Sequence, residues 1–130
     1  MTPDEKITSL LVKLNRLTSL DKIKWEVTDP PRSIARGTDD FIPLFLTATY
    51  KNQRFGLFQQ RYQSFDGDRE RHYWSERLVL AILDSEGRVL LETPQQSSAL
   101  FDLFETARKK VANIDDVINN LLVDDDASET

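Results

Sequence analysis

The sequence predicts an α+β fold: a single antiparallel sheet of about five strands flanked by an N-terminal helix and a long C-terminal helix. Three observations carry this. Strand signal runs almost unbroken from Phe41 to Glu92, a capped amphipathic segment precedes it, and a longer segment of helical apolar period follows it. Consecutive antiparallel strands leave a sheet face open to water unless something covers it, and two helices with apolar stripes supply that cover.

The first helix is written by its cap. Thr2 stands as N-cap, Pro3 at the first helical position, and Glu5 completes a capping box. Ile7, Leu10, Leu11, Leu14 and Leu17 then recur on one stripe, which predicts a core-facing helix from about Pro3 to Leu17. After a turn over Thr18 to Lys22, Ile23, Trp25 and Val27 alternate with Lys24 and Glu26 in the period of a half-buried strand. Asp29-Pro30-Pro31 ends it, because two prolines remove two ladder donors, and Pro30 to Asp40 reads as a loop.

In the next strand Ile42, Leu44, Leu46, Ala48 and Tyr50 share one face, with Phe41, Phe45, Thr47 and Thr49 on the other. Lys51-Asn52-Gln53 makes a hairpin connection to a strand over Phe55 to Phe65, and Asp66-Gly67-Asp68 turns the chain again. Tyr73 to Leu83 is the longest strand; its second half is apolar on both faces, which makes it central. Asp84-Ser85-Glu86-Gly87 is the strongest turn, and Arg88 to Glu92 closes the sheet. Pro94 forbids further central pairing, and Ser97 or Ser98 caps the last helix. Leu100, Leu103, Phe104, Ala107, Val111, Ile114, Val117, Ile118, Leu121 and Leu122 keep a helical period to the tail. Asp115 and Asp116 after Asn113 are cap-like, so a kink or break there and one continuous helix are equally open.

The 130 residues suffice for one domain with its own core, expected over residues 1–123. The formal charge of −5 is misleading: Asp124, Asp125, Asp126 and Glu129 lie past the last apolar residue, leaving 18 acids against 17 bases in the body. Residues 124–130 are expected to be a disordered acidic tail. Cysteine is absent, which excludes disulfides and thiol chemistry and suits a reducing cytosol. No apolar run approaches the roughly 20 residues of a membrane span, and no leader pattern opens the chain, so a cytoplasmic protein without membrane association is expected.

Candidate chemistry is sparse. His72 is the single histidine, and neither an orienting partner nor a pocket can be read for it. Asp66, Asp68 and Glu70 have the opening spacing of a calcium loop, but Arg71 and Arg77 occupy the glycine and bidentate-glutamate positions, so a polar hairpin tip is the reading. No nucleophile elbow and no glycine-rich phosphate loop is present. No catalytic, cofactor-binding or metal residue is assigned, and no cofactor is expected. Arg54, Arg61, Arg69, Arg71 and Arg77 interleave with Tyr62, Tyr73 and Trp74, the pattern of a single-strand nucleic-acid binder, yet Asp66, Asp68, Glu70 and Glu76 nearly cancel it. Arg61, Tyr62, Arg71, His72, Tyr73 and Trp74 are therefore the candidate interaction surface.

The segment from Thr18 to Trp25, of the form Thr-x-x-x-Lys-Ile-x-Trp, the Leu83-Asp84-Ser85-Glu86-Gly87 hairpin and the helix from Leu100 to Leu122 resemble those of small uncharacterised bacterial proteins built as helix, antiparallel sheet, helix. The resemblance implies that fold and a bacterial origin, and it transfers no activity. The function expected is non-enzymatic: an adaptor, regulator or immunity-type module acting on a protein partner of unknown identity, with a homodimer also open. The alternatives are a single-strand nucleic-acid binder, which needs the arginines gathered on one face, and a ligand binder or enzyme, which needs a pocket under the sheet lined by Gln59, Gln60, Tyr62 or His72.

Overall fold

A computed structural model of the protein describes residues 2–31, 41–93 and 96–123. Its elements are α1 (Pro3–Ser19), β1 (Glu26–Val27), β2 (Phe41–Tyr50), β3 (Gln53–Asp66), β4 (Arg71–Leu83), β5 (Val89–Glu92), α2 (Ser98–Ala112) and α3 (Ile114–Leu122). The strands form one antiparallel meander in the order β1-β2-β3-β4-β5, as the α+β reading requires.

The capping box closes α1: Thr2 Oγ1 accepts from the Glu5 N–H at 3.2 Å, and Glu5 Oε2 accepts from the Thr2 N–H at 3.2 Å. Leu11 and Leu14 are buried, with Ile7, Leu10 and Leu17 packed beside them. The helix runs past the expected turn at Thr18, which is fully buried. The Thr18 hydroxyl donates to Leu14 O at 2.7 Å and accepts from Trp25 Nε1 at 3.0 Å, so it fastens the returning chain to the helix. Ile23 and Trp25 are buried as expected, but β1 is only two residues long and Val27 is exposed at the sheet edge. An edge strand has a neighbour on one side only, and alternation there does not guarantee cover.

On one sheet face Leu46, Ala48, Phe55, Leu57 and Leu80 meet Leu11 and Leu14 of α1 and Leu100, Leu103, Phe104 and Ala107 of α2. The opposite face carries a smaller cluster of Phe45, Phe58, Val79, Ala81 and Leu83, with the Phe45 and Phe58 rings stacked at 5.2 Å. Ile42 packs against this second cluster, not with Leu44 and Leu46, because the β2–β3 register shifts between Phe41 and Leu44. A bulge inserts an extra residue and flips every side chain beyond it. Gly56 sits under Phe45: a Cβ there would lie 2.8 Å from Phe45 Cζ.

Lys51 and Asn52 both have positive φ, 52° and 63°, which fits a primed two-residue hairpin turn between β2 and β3. At the β4–β5 turn Gly87 has φ +81°, and Asp84 Oδ1 accepts from the N–H groups of Glu86 and Arg88 at 2.9 and 2.8 Å. Ser97 is the N-cap of α2, its hydroxyl accepting from the Leu100 N–H at 3.2 Å. Asn113 adopts the left-handed conformation and ends α2, so the C-terminal helix breaks there. The expected packing of its distal half on the sheet does not occur: α3 contains no buried residue. Residues 32–40 of the expected loop and the acidic segment 124–130 lie outside the described residues.

Candidate functional site

β3 and β4 outrun their neighbours. Pairing of β2 with β3 ends at Phe41 opposite Arg61, and pairing of β5 with β4 begins only at Glu92 opposite Ala81. Beyond those points Tyr62 to Asp66 and Arg71 to Ser75 pair with each other alone among the described residues, which leaves a two-stranded ribbon projecting from the body.

Register and the two-residue period assign its faces. Arg61, Gln63 and Phe65 lie opposite Glu76, Trp74 and His72 on the helix side, while Tyr62, Ser64 and Asp66 lie opposite Ser75, Tyr73 and Arg71 on the other. Five of the six candidate residues are thus on the ribbon, and Arg61, still opposite Phe41 of β2, stands at its base. The six divide between two faces: Arg61, His72 and Trp74 point one way, and Tyr62, Arg71 and Tyr73 the other, so the arginines are not gathered on one face as the nucleic-acid alternative needs.

On the helix side Arg61 Nε and Glu76 Oε1 are 2.9 Å apart, and Gln59 Nε2 donates to Glu76 Oε2 at 2.9 Å. The Phe65 and His72 rings lie 5.1 Å apart, with Phe65 60% and Trp74 56% exposed. On the other side the Arg77 guanidinium sits 5.8 Å over the Tyr62 ring, its Nε donates to Gln60 Oε1 at 2.8 Å, and Glu92 lies 3.9 Å away. Ser64 and Ser75 share a hydrogen bond of 2.9 Å, and Tyr73 is 50% exposed. At the tip Asp66 Oδ1 accepts from the Asp68 N–H at 3.0 Å, and Arg69 lies 3.9 Å from Asp66 Oδ2.

The open edge of β4 has a defined length. The Gln96 side chain behaves as a strand residue would, accepting from the Leu78 N–H at 2.8 Å and donating to Leu78 O at 2.7 Å. Thr93 does the same for Leu80 through its hydroxyl and its N–H, at 3.0 and 2.9 Å. Even-numbered residues of β4 therefore turn their backbone groups outward. Past Gln96 the outward groups of His72, Trp74 and Glu76 have no partner among the described residues.

Gln59, Gln60, Tyr62 and His72 do not converge, since Gln59 and His72 lie on the helix side and the other two opposite. A groove of about 270 Å³ where α2 meets the ribbon's base is lined by Gln59, Glu76, Leu78, Gln96, Phe101 and Phe104. A larger hollow of about 540 Å³ lies between the α1–β1 connection and the α2–α3 joint, where Lys110 Nζ is 3.2 Å from Asp21. It contains none of the six candidates. No cluster of metal-ligating side chains occurs among the described residues.

Sequence reasoning missed Phe65 and Phe101, both more than half exposed, and the bare stripe of α3, where Leu121 and Leu122 are 78% and 76% exposed. Phe65 was within reach: counting outward from the Asp66 turn pairs it with His72. No protein-family model matches the chain, and neither a curated protein nor a solved structure matches it, so the functional reading rests on this surface.

Proposed function

We propose that the protein is a non-enzymatic interaction module, of adaptor, regulator or immunity type, that binds another protein through the β3–β4 ribbon. One observation carries the reading: Phe65, Tyr73 and Trp74 are each at least half exposed on a segment that contributes to neither core. A two-stranded ribbon is marginally stable in water by itself, and large aromatics are the side chains that anchor protein interfaces. The exposed apolar stripe of α3 offers a second contact of the same kind.

The charge pattern supports a protein over a nucleic acid. Arg61 is paired with Glu76, Arg69 with Asp66 and Arg77 with Glu92, and Arg61 and Arg77 point to opposite faces. A nucleic-acid groove needs unpaired cations in a track. The proposed setting is the cytosol of a bacterium, in line with the architecture the chain resembles. No helix among the described residues is long and apolar enough to cross a membrane.

The test pairs two measurements. Anisotropy titration with mixed-sequence single-stranded DNA and RNA at about 50 mM salt, where electrostatic binding is exaggerated, should be flat. Affinity capture should retain a protein that folded Trp74→Ala and Tyr73→Ala variants lose. Micromolar nucleic-acid binding that vanishes with salt, or capture indifferent to both variants, would overturn the reading.

A further inference from the structure

We propose that the open edge of β4, His72 to Glu76, pairs antiparallel with the same edge of a second copy of the chain. The proposal rests on the ribbon as an interaction surface and specifies its occupant.

The length of the edge argues for self-pairing. Outward backbone groups are closed off on one side by Gln96 at Leu78 and on the other by Glu70, whose φ of 48° takes it out of the strand. Among the described residues His72, Trp74 and Glu76 remain without a partner for these groups. A twofold axis through Trp74 uses all three on both copies: Trp74 faces the partner subunit's Trp74, and His72 faces the partner subunit's Glu76. Any other antiparallel register leaves an outward group unmatched, and unpaired strand edges are templates for this kind of addition.

The side chains agree with that register. On the helix side two exposed tryptophans meet at the centre, and an imidazole stands opposite a carboxylate at each end. Arg61 stays beside Glu76 as in the single chain. On the far side Tyr73 faces the partner subunit's Ser75, and Arg71 faces the partner subunit's Arg77. That like-charge contact is moderated because Arg77 has Glu92 at 3.9 Å and rests on Tyr62. An aromatic side chain carries about 150–250 Å², so half-exposed Trp74 and Tyr73 from two copies supply roughly 400 Å². With the flanking residues the interface stays under about 1,200 Å², the size of weak, reversible complexes, so dimerisation should depend on concentration.

The absence of cysteine makes the register directly testable. Directly opposed residues of a hydrogen-bonded pair lie about 5.5 Å apart, within disulfide reach, whereas the diagonal Tyr73 pair lies at about 7–8 Å. Under mild oxidation Trp74→Cys should form a covalent dimer at least about 10-fold faster than Tyr73→Cys. His72→Pro removes an outward N–H that has no bond to another described residue, so it should keep the far-ultraviolet spectrum and lower the dimer fraction in sedimentation velocity up to about 1 mM. If His72→Pro does not fold, the cysteine comparison decides. A wild-type chain monomeric throughout, equal cross-linking of the two cysteines, or a dimer indifferent to His72→Pro would overturn the proposal. A monomer that still captures a partner through Trp74 would remove the pairing alone; a ribbon that neither pairs nor captures would remove both readings.

Discussion

Thr18 and Trp25 join α1 to the chain that leads into the sheet, and a double-mutant cycle on them tests whether that junction holds the fold together. The indole is 6% exposed and the hydroxyl fully buried, so neither partner has water as a substitute. Thr18→Val keeps the shape but strands the indole N–H, which costs about 1–3 kcal/mol, offset by roughly 0.8 kcal/mol for the added apolar carbon. A net loss of about 1–2 kcal/mol is expected. Trp25→Phe removes the donor and leaves a void beside Ile23, for a loss of about 1–3 kcal/mol. In the double variant no polar group is left unpaired, so its loss should fall short of the sum by about 1 kcal/mol. Urea unfolding followed by far-ultraviolet circular dichroism gives all four corners of the cycle; tryptophan fluorescence would mix Trp25 with exposed Trp74. Additivity within about 0.3 kcal/mol would refute the argument, because it would mean that the 3.0 Å contact carries no coupling.

Three further outcomes follow from other parts of the molecule. Gly56→Ala should destabilise by about 1–3 kcal/mol in the same urea assay, since its Cβ would press on the Phe45 ring from 2.8 Å. Ending the chain after Asn113 should shift the melting midpoint by less than about 3 °C, because α3 has no buried residue and only Ile114 is half-buried; a larger drop would show that it packs. The Asp84 carboxyl is held below the usual carboxylate range, first by the Arg88 N–H, with the Arg88 guanidinium and the Glu86 N–H adding to it against partial desolvation. A depressed carboxylate stabilises the fold above its unfolded pKa of about 3.9 and loses that contribution as pH falls through the lower folded value. The stability gap between wild type and Asp84→Asn should therefore be constant from neutral pH to about pH 5 and shrink below about pH 4.

Local chemistry made most of the fold legible. The capping box at Thr2, the two turns at Lys51 and Asp84 and the doubly apolar end of β4 act through neighbours in sequence, and the structure contains each. Errors arose where a distant contact decided. The period of Ile114 to Leu122 is the same whether a helix packs or hangs free, so its exposure could not be read. The bulge before Leu44 is a property of the β2–β3 register, and it moved Ile42 to the other face. The six candidate surface residues were found because the aromatic and basic types cluster in sequence. Their division into two sets of three depends on pairing through the Asp66 to Arg71 turn, and the open edge depends on Gln96 reaching back to Leu78.

Amide hydrogen exchange along β4, followed residue by residue at low and high protein concentration, tests the ribbon as a contact surface most directly. At low concentration the inward N–H groups of Tyr73, Ser75 and Arg77, which face β3, should be protected, while those of His72, Trp74 and Glu76 exchange freely. At high concentration, or with a captured partner bound, the outward three should become protected while the inward three change little. Outward amides already protected in the dilute chain, or unchanged at every concentration and with every partner, would contradict the assignment of this edge to binding.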